Sequence, residues 1–300
     1  ALDGQIVARK FELGDKEVTL EAMIRIGGPN KKLNEDGFVV LTRGQTLQLI
    51  LVDGGTQIAE VETLDKQGLS GGKFIAEKVE EYGPALDPKV SVAKNLHTLN
   101  QRIGEDIRKD HTGITYAEDS INVPYGSIAG VKFDAESGTL EVANAGDAYV
   151  VTIDTSGKPS LLTIDDVYKK NQQTFDAARE GAKKQDITVR QAMERRLPEV
   201  LAEMKKTMKM GNTGEIRRIT GASNFEVTCS VATKADNIKR ILVFSDGAIP
   251  AGMNIHTAER LQEFIETINA SGLLGLNEKI QDSAVEDPNF ERHPRFRDID

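Results

Sequence analysis

Between residues 127 and 164 the chain offers four short apolar segments in succession (127–133, 139–144, 148–154 and 159–164). Only Glu136-Ser137-Gly138, Gly146-Asp147 and Ser156-Gly157 separate them. Gaps of two or three turn residues leave no room for the helical crossover that parallel strands require, so these segments predict an antiparallel meander. Upstream, residues 37–42 and 47–52 flank Arg43-Gly44-Gln45-Thr46, which has the length and chemistry of a hairpin turn. Residues 18–26 alternate apolar and polar side chains until Gly27-Gly28-Pro29-Asn30 breaks the pattern. Further strands are expected at 225–231 and 241–244.

Helices are expected in separate blocks. Residues 73–82 follow Ser70-Gly71-Gly72. Residues 89–109 carry Val92, Leu96, Leu99, Ile103 and Ile107 at three- and four-residue steps. Residues 165–210 are highly charged, with Met193, Leu197, Leu201, Met204 and Met208 on one stripe that reads as core packing, and Pro198 marks a start or a kink. Residues 257–268 and 274–283 close the chain as two more helices. Runs of strands with segregated helices point to an α+β sandwich. The whole reads as one domain, 1–300, with a largely helical insertion at about 165–221.

Two of the apolar runs end in an acidic turn. Leu47 to Val52 leads into Asp53-Gly54-Gly55, and Ile241 to Phe244 into Ser245-Asp246-Gly247; a third acidic motif, Asn34-Glu35-Asp36-Gly37, precedes the hairpin. A carboxylate just past a buried strand, followed by glycine, lets a hard cation approach the backbone. Asp-Gly is also a common turn dipeptide, so each motif alone says little.

In combination and order, these motifs resemble those of the type-2C metal-dependent serine/threonine protein phosphatases. Ala145-Gly146-Asp147-Ala148 matches that family's third motif and Asp298-Ile299-Asp300 its terminal acidic pair, so the likeness spans about residues 20–300. It implies a four-layer α/β/β/α fold, two antiparallel sheets packed between helices, with two or three Mn²⁺ or Mg²⁺ ions in a cleft at one end. It further implies that Asp53 bridges two ions with help from the Gly54 carbonyl, that Asp246 binds the second, and that Asp36 holds metal-bound waters. Asp147 would join Asp246 at a third ion, or is simply a turn aspartate. Asp300, rather than Asp298, would be the last ligand, and Glu35 would reach a metal water or remain a surface carboxylate.

The chain also departs from the family. Lys31, beside Lys32, stands where many members carry an arginine for the substrate phosphate, and a lysine offers charge without a bidentate fork. Gly55 stands where some members have a histidine thought to protonate the leaving oxygen, and Gly126-Ser127-Ile128-Ala129 replaces a Gly-Ser/Thr-Thr-Ala strand. The activity implied is hydrolysis of phosphoserine and phosphothreonine in proteins, with a kinase or its targets as partners and the 165–221 insertion as a flap shaping substrate choice. The alternative is a catalytically weak phosphatase-like regulatory or binding module, which Gly55 and the unfinished acidic terminus motivate.

Composition narrows the rest. With 38 basic against 47 acidic side chains, a net charge of −9 argues against a nucleic-acid surface. The single cysteine, Cys229, excludes an intrachain disulfide, fits a reducing compartment and reads as a small core residue. No apolar stretch approaches a membrane span, so a soluble, cytoplasmic protein is expected. His97, His111, His256 and His293 show no metal-ligand spacing. Residues 68–73 (GLSGGK) lack the spacing of a phosphate-binding loop and read as the start of a helix. An aspartyl-phosphate hydrolase of the haloacid dehalogenase type is disfavoured, because the only Asp-x-Asp is terminal.

Overall fold

The apolar run that ends at Asp53 is buried on alternate faces by two different layers, and this sets the architecture. The computed structural model describes residues 6–23, 35–55, 70–110, 123–209 and 217–291. Its strands are β1 (Ile6–Leu13), β2 (Lys16–Met23), β3 (Asp36–Arg43), β4 (Thr46–Gly54), β5 (Gly126–Asp134), β6 (Thr139–Ala145), β7 (Tyr149–Asp154), β8 (Pro159–Leu161), β9 (Cys229–Lys234) and β10 (Ile238–Phe244). Its helices are α1 (Gly71–Tyr82), α2 (Val92–Asp110), α3 (Tyr168–Gln185), α4 (Val189–Lys209) and α5 (Ala258–Glu286).

Strands β3-β4-β5-β6-β9 form a five-stranded antiparallel sheet and β10-β7-β8 a three-stranded one, while β1 and β2 pair as a separate, largely exposed hairpin. Along β4, Ile50 and Val52 pack with Ile75, Val79, Leu96, Leu99 and Ile103, in the core beneath α1 and α2. Leu49 and Leu51 face the other way, into a core shared by Ala129, Val131, Leu140 and Val142 of one sheet and Ala148, Val150, Ile241 and Val243 of the other. The far side of the small sheet places Tyr149, Val151, Ile153 and Phe244 against Leu261, Phe264, Ile265 and Ile268 of α5. The layers therefore run helix, sheet, sheet, helix. Each fully buried aliphatic side chain contributes roughly 1.5–3 kcal/mol, so a sheet apolar on both faces is stable only when covered on both.

Several expectations need correction. Residues 127–164 are not one meander: β5 pairs with β6 and β7 with β8, but β6 does not pair with β7. At Gly146-Asp147 the chain leaves the large sheet for the small one. Gly146 is left-handed, at φ +88°, and a Cβ there would meet Ser127 Oγ at 2.3 Å. The strand expected at 225–231 lies at Cys229–Lys234, because Phe225 turns into the α2-side core, its ring 5.1 Å from that of His97. The strand expected at 159–164 stops at Leu161. Beyond it Leu162 N still donates to Val150 O, and Thr163 Oγ1 accepts from Val150 N in place of a backbone carbonyl. Strand β1 has no counterpart in the sequence reading, because Ile6-Val7-Ala8 and Arg9-Lys10 do not alternate.

Other expectations agree with the structure. Ser70 caps α1, its Oγ accepting from Lys73 N at 3.1 Å, and Gly272, at φ 66° and ψ −169°, breaks the last run into two helices. Pro198 lies inside α4 rather than at its start. Of the methionine stripe, Met193 is buried where α3 and α4 meet Phe290, whereas Leu197 is 45% exposed. No helix among the described residues is long and apolar enough to cross a membrane.

Candidate functional site

Strand register sets one row of side chains across the large sheet. Asp36 of β3 lies opposite Asp53 of β4, and Asp53 opposite Ser127 of β5. Asp53 shares its strand face with Leu49 and Leu51, so this row looks toward the small sheet at the end of the gap between the two. In the small sheet, Phe244 pairs with Tyr149. Asp246, which opens a short 3₁₀ turn, lies two residues beyond the first, and Asp147 two residues before the second. Ser127 Oγ donates to Asp147 Oδ1, joining the row to the crossing between sheets. Asp36, Asp53, Asp147 and Asp246 thus share one end of the sandwich.

The backbone around Asp53 is closely packed. Gly54 N donates to Glu35 O at 3.0 Å, and Gly55 N to Tyr125 O at 2.9 Å. A Cβ at Gly54 would lie 2.4 Å from the Gly72 carbonyl oxygen, so glycine at 54 is needed for the approach of α1. Glu35 is buried and accepts from Ser70 Oγ at 2.5 Å, which makes it a tie between the start of β3 and the cap of α1 rather than a surface carboxylate.

A cation stands in this acidic surrounding. Ile219 and Gly126 exchange backbone hydrogen bonds (3.0 and 2.9 Å), so residues 218–220 take the place beside β5 that β6 vacates when it crosses sheets. This sets Arg218 at the level of Ser127, in continuation of the Asp36–Asp53 row. Its guanidinium lies over the Tyr125 ring, 4.9 Å from the centroid. Burial alone would lower its pKa; the charge of Asp147, then Tyr125, Asp53 and Asp246, outweighs that and raises it. Among the described residues no three His, Cys, Asp or Glu side chains close into a metal cage. The charges of Asp147, Asp53 and Asp246 all favour the Arg218 cation. In chemistry their hard oxygens suit Mg²⁺ or Mn²⁺.

A second polar cluster adjoins the first through Tyr149. Its hydroxyl donates to Asp165 Oδ2 at 2.6 Å, which His256 Nε2 also approaches at 3.2 Å. Asp165 Oδ1 accepts from Val167 N and Tyr168 N at 2.7 and 2.8 Å, anchoring the start of α3. Burial would raise the Asp165 pKa, but the hydrogen bonds from His256, Tyr149 and the two amides hold it below the ordinary carboxylate range. Burial, then the charges of Asp165 and Asp147, push the Tyr149 phenol far upward, keeping it protonated. Asp166 Oδ2 accepts from Arg217 N and Thr228 Oγ1 at 2.9 and 2.8 Å, holding the two ends of the 165–217 segment together.

Of the residues expected at the site, Asp36, Asp53, Gly54, Asp147 and Asp246 come together, whereas Lys31, Asn34, Asp298 and Asp300 lie outside the described residues. The sequence reading missed Arg218, Tyr125 and Asp165. An Arg217-Arg218 doublet in a loop looks like solvated surface, and nothing local to Tyr125 marks its seat against Gly55.

No protein-family model and no curated protein matches the chain. Solved structures similar to it include a bacterial serine phosphatase at 12% identity, with 92% of this chain and 93% of that one covered and a TM-score of 0.47. Another is the Mycobacterium tuberculosis serine/threonine phosphatase PstP/Ppp, at 13% identity, 94% and 92% coverage and a TM-score of 0.46. A third is RsbX in complex with magnesium, at 10% identity, 89% and 94% coverage and a TM-score of 0.41. Likeness this distant leaves the activity to be argued from the site's own residues.

Proposed function

We propose that this protein is a Mn²⁺- or Mg²⁺-dependent phosphatase that hydrolyses phosphoserine and phosphothreonine in proteins, a kinase or its targets among them, in the cytoplasm. The observation that supports this most is the convergence of Asp36 and Asp53 from one sheet with Asp147 and Asp246 from the margin of the other. These four carboxylates, with the Gly54 carbonyl, would hold the ions; Lys31 as a phosphate contact and Asp300 as a last ligand belong to the same proposal. Bound there, a pair of divalent ions would acidify a water for attack and neutralise the phosphoryl oxygens.

The chain's own groups would do the rest. The paired strands β3 and β4 fix Asp36 beside Asp53, so both present oxygens to one side of the cleft. Ser127 orients Asp147, and the Tyr149–Phe244 pair sets the spacing of Asp147 from Asp246. Asp165 holds the Tyr149 hydroxyl, which stays protonated and adds no negative charge to the site. The 165–221 segment, anchored at Asp165 and Asp166 next to the cleft, is proposed to shape substrate choice.

Arg218 favours a second reading, a phosphatase-like binding module whose acidic centre already holds a cation of its own. One experiment separates the two: hydrolysis of para-nitrophenyl phosphate and a phosphothreonine peptide with Mn²⁺, in wild type, Asp53→Asn and Asp246→Asn. The phosphatase reading expects metal-dependent turnover that falls at least about a hundredfold in both variants, some 2.7 kcal/mol of barrier. Folded wild type with no turnover at millimolar Mn²⁺, and no heat of metal binding, would leave the binding module standing.

A further inference from the structure

Resting on the metal-dependent reading, we propose that Arg218 is a tethered counter-ion: its guanidinium stands in the acidic centre in place of a divalent cation and must be displaced for one to bind. The residue thereby sets the concentration of metal at which the site fills.

The geometry gives both halves of this exchange. Arg218 is held at its backbone, because the two hydrogen bonds between Ile219 and Gly126 dock the segment beside β5. Its guanidinium lies over the Tyr125 ring and in the field of Asp147, Asp53 and Asp246. Tyr125 is itself buried, its ring in the space against Gly55 where any side chain would collide. The carboxylates whose charge favours the guanidinium are those a divalent cation would need, and two cations side by side among them would repel, so metal and guanidinium compete for the same oxygens. A monocation that satisfies these carboxylates without metal therefore stabilises the empty site and raises the concentration of metal needed to fill it, by simple linkage.

The placement also couples the centre to the helical segment. Arg217 N is bonded to Asp166, which accepts from Thr228 as well, so the residue next to Arg218 is fastened to the start of the segment that carries α3 and α4.

The test is calorimetric titration of Mn²⁺ into the whole chain, with thermal melts alongside, for wild type, Arg218→Gln and Arg218→Met. The expected result is Mn²⁺ binding at least tenfold tighter in Arg218→Gln, a lower melting temperature than wild type without metal, and recovery on adding Mn²⁺. Arg218→Met keeps the unbranched stem over Tyr125 and should show the same tightening, which preserves the test if Arg218→Gln loses its fold. Wild-type or weaker Mn²⁺ affinity in the variants overturns the role of Arg218 alone. If those variants instead lose inhibition by inorganic phosphate, the guanidinium is a phosphate contact and the counter-ion role fails. Absence of Mn²⁺ binding in wild type and variants alike overturns the metal-dependent reading itself, and the inference with it.

Discussion

The ring of Tyr125 fills the space that a side chain at Gly55 would need: a Cβ there would lie 1.9 Å from Tyr125 Cε2. Gly55 N also donates to Tyr125 O, so neither backbone can yield easily. A histidine at position 55, as some phosphatases of the type-2C family have, is therefore incompatible with Tyr125 in this place. Gly55→Ala should lower unfolding free energy by about 1–3 kcal/mol through overpacking, measured by urea denaturation. Adding Tyr125→Ala should recover part of that loss, since the two residues are coupled. Strict additivity of the two substitutions would refute the contact.

Ser127 contributes a hydroxyl to a carboxylate in a buried setting. Ser127→Ala leaves Asp147 Oδ1 without that donor and should cost about 1–3 kcal/mol of stability. Turnover with Mn²⁺ should fall as well, because Asp147 loses its orientation. A variant as stable and as active as wild type would show that the bond positions nothing.

Asp165 has a definite acid signature. Its carboxyl is held below the ordinary value of ~3.9, so its hydrogen bonds stabilise the fold fully above that value, and the contribution disappears as pH falls through the lower, folded-state pKa. The stability difference between wild type and Asp165→Asn should shrink as pH falls below roughly pH 5. Chemical unfolding at several pH values measures this directly. A difference that keeps growing below about pH 5 would reverse the assignment.

Asp36 and Asp53 are directly opposed across two strands, and like charges so placed are destabilising. Asp36→Asn should raise the stability of the metal-free protein by about 0.2–1 kcal/mol. The same change should reduce the rise in melting temperature that Mn²⁺ gives. A loss of metal-free stability would mean that Asp36 is needed for folding more than for binding cations.

How far the chain was legible depended on the range of the interaction. The apolar runs of β4 and β10, their Asp-Gly ends, the hairpin turn at Gly44-Gln45 and the spacing of Leu96, Leu99 and Ile103 in α2 are set by neighbours within a few residues. They read correctly from the sequence because a short apolar run bounded by turn residues and a helical periodicity are local consequences of what is buried. The sequence by itself therefore determined an α+β chain of antiparallel strands with acidic residues at strand ends. Only tertiary structure decided that β7 leaves the sheet of β6, because that depends on Ser127 crowding Gly146 and on cores covering both faces of β5. It also decided that Arg218 joins the aspartates, through a two-hydrogen-bond bridge to Gly126, and that Tyr125 sits where Gly55 leaves room. Close packing between residues distant along the chain imposes these contacts, and no local pattern of hydrophobicity or charge encodes them.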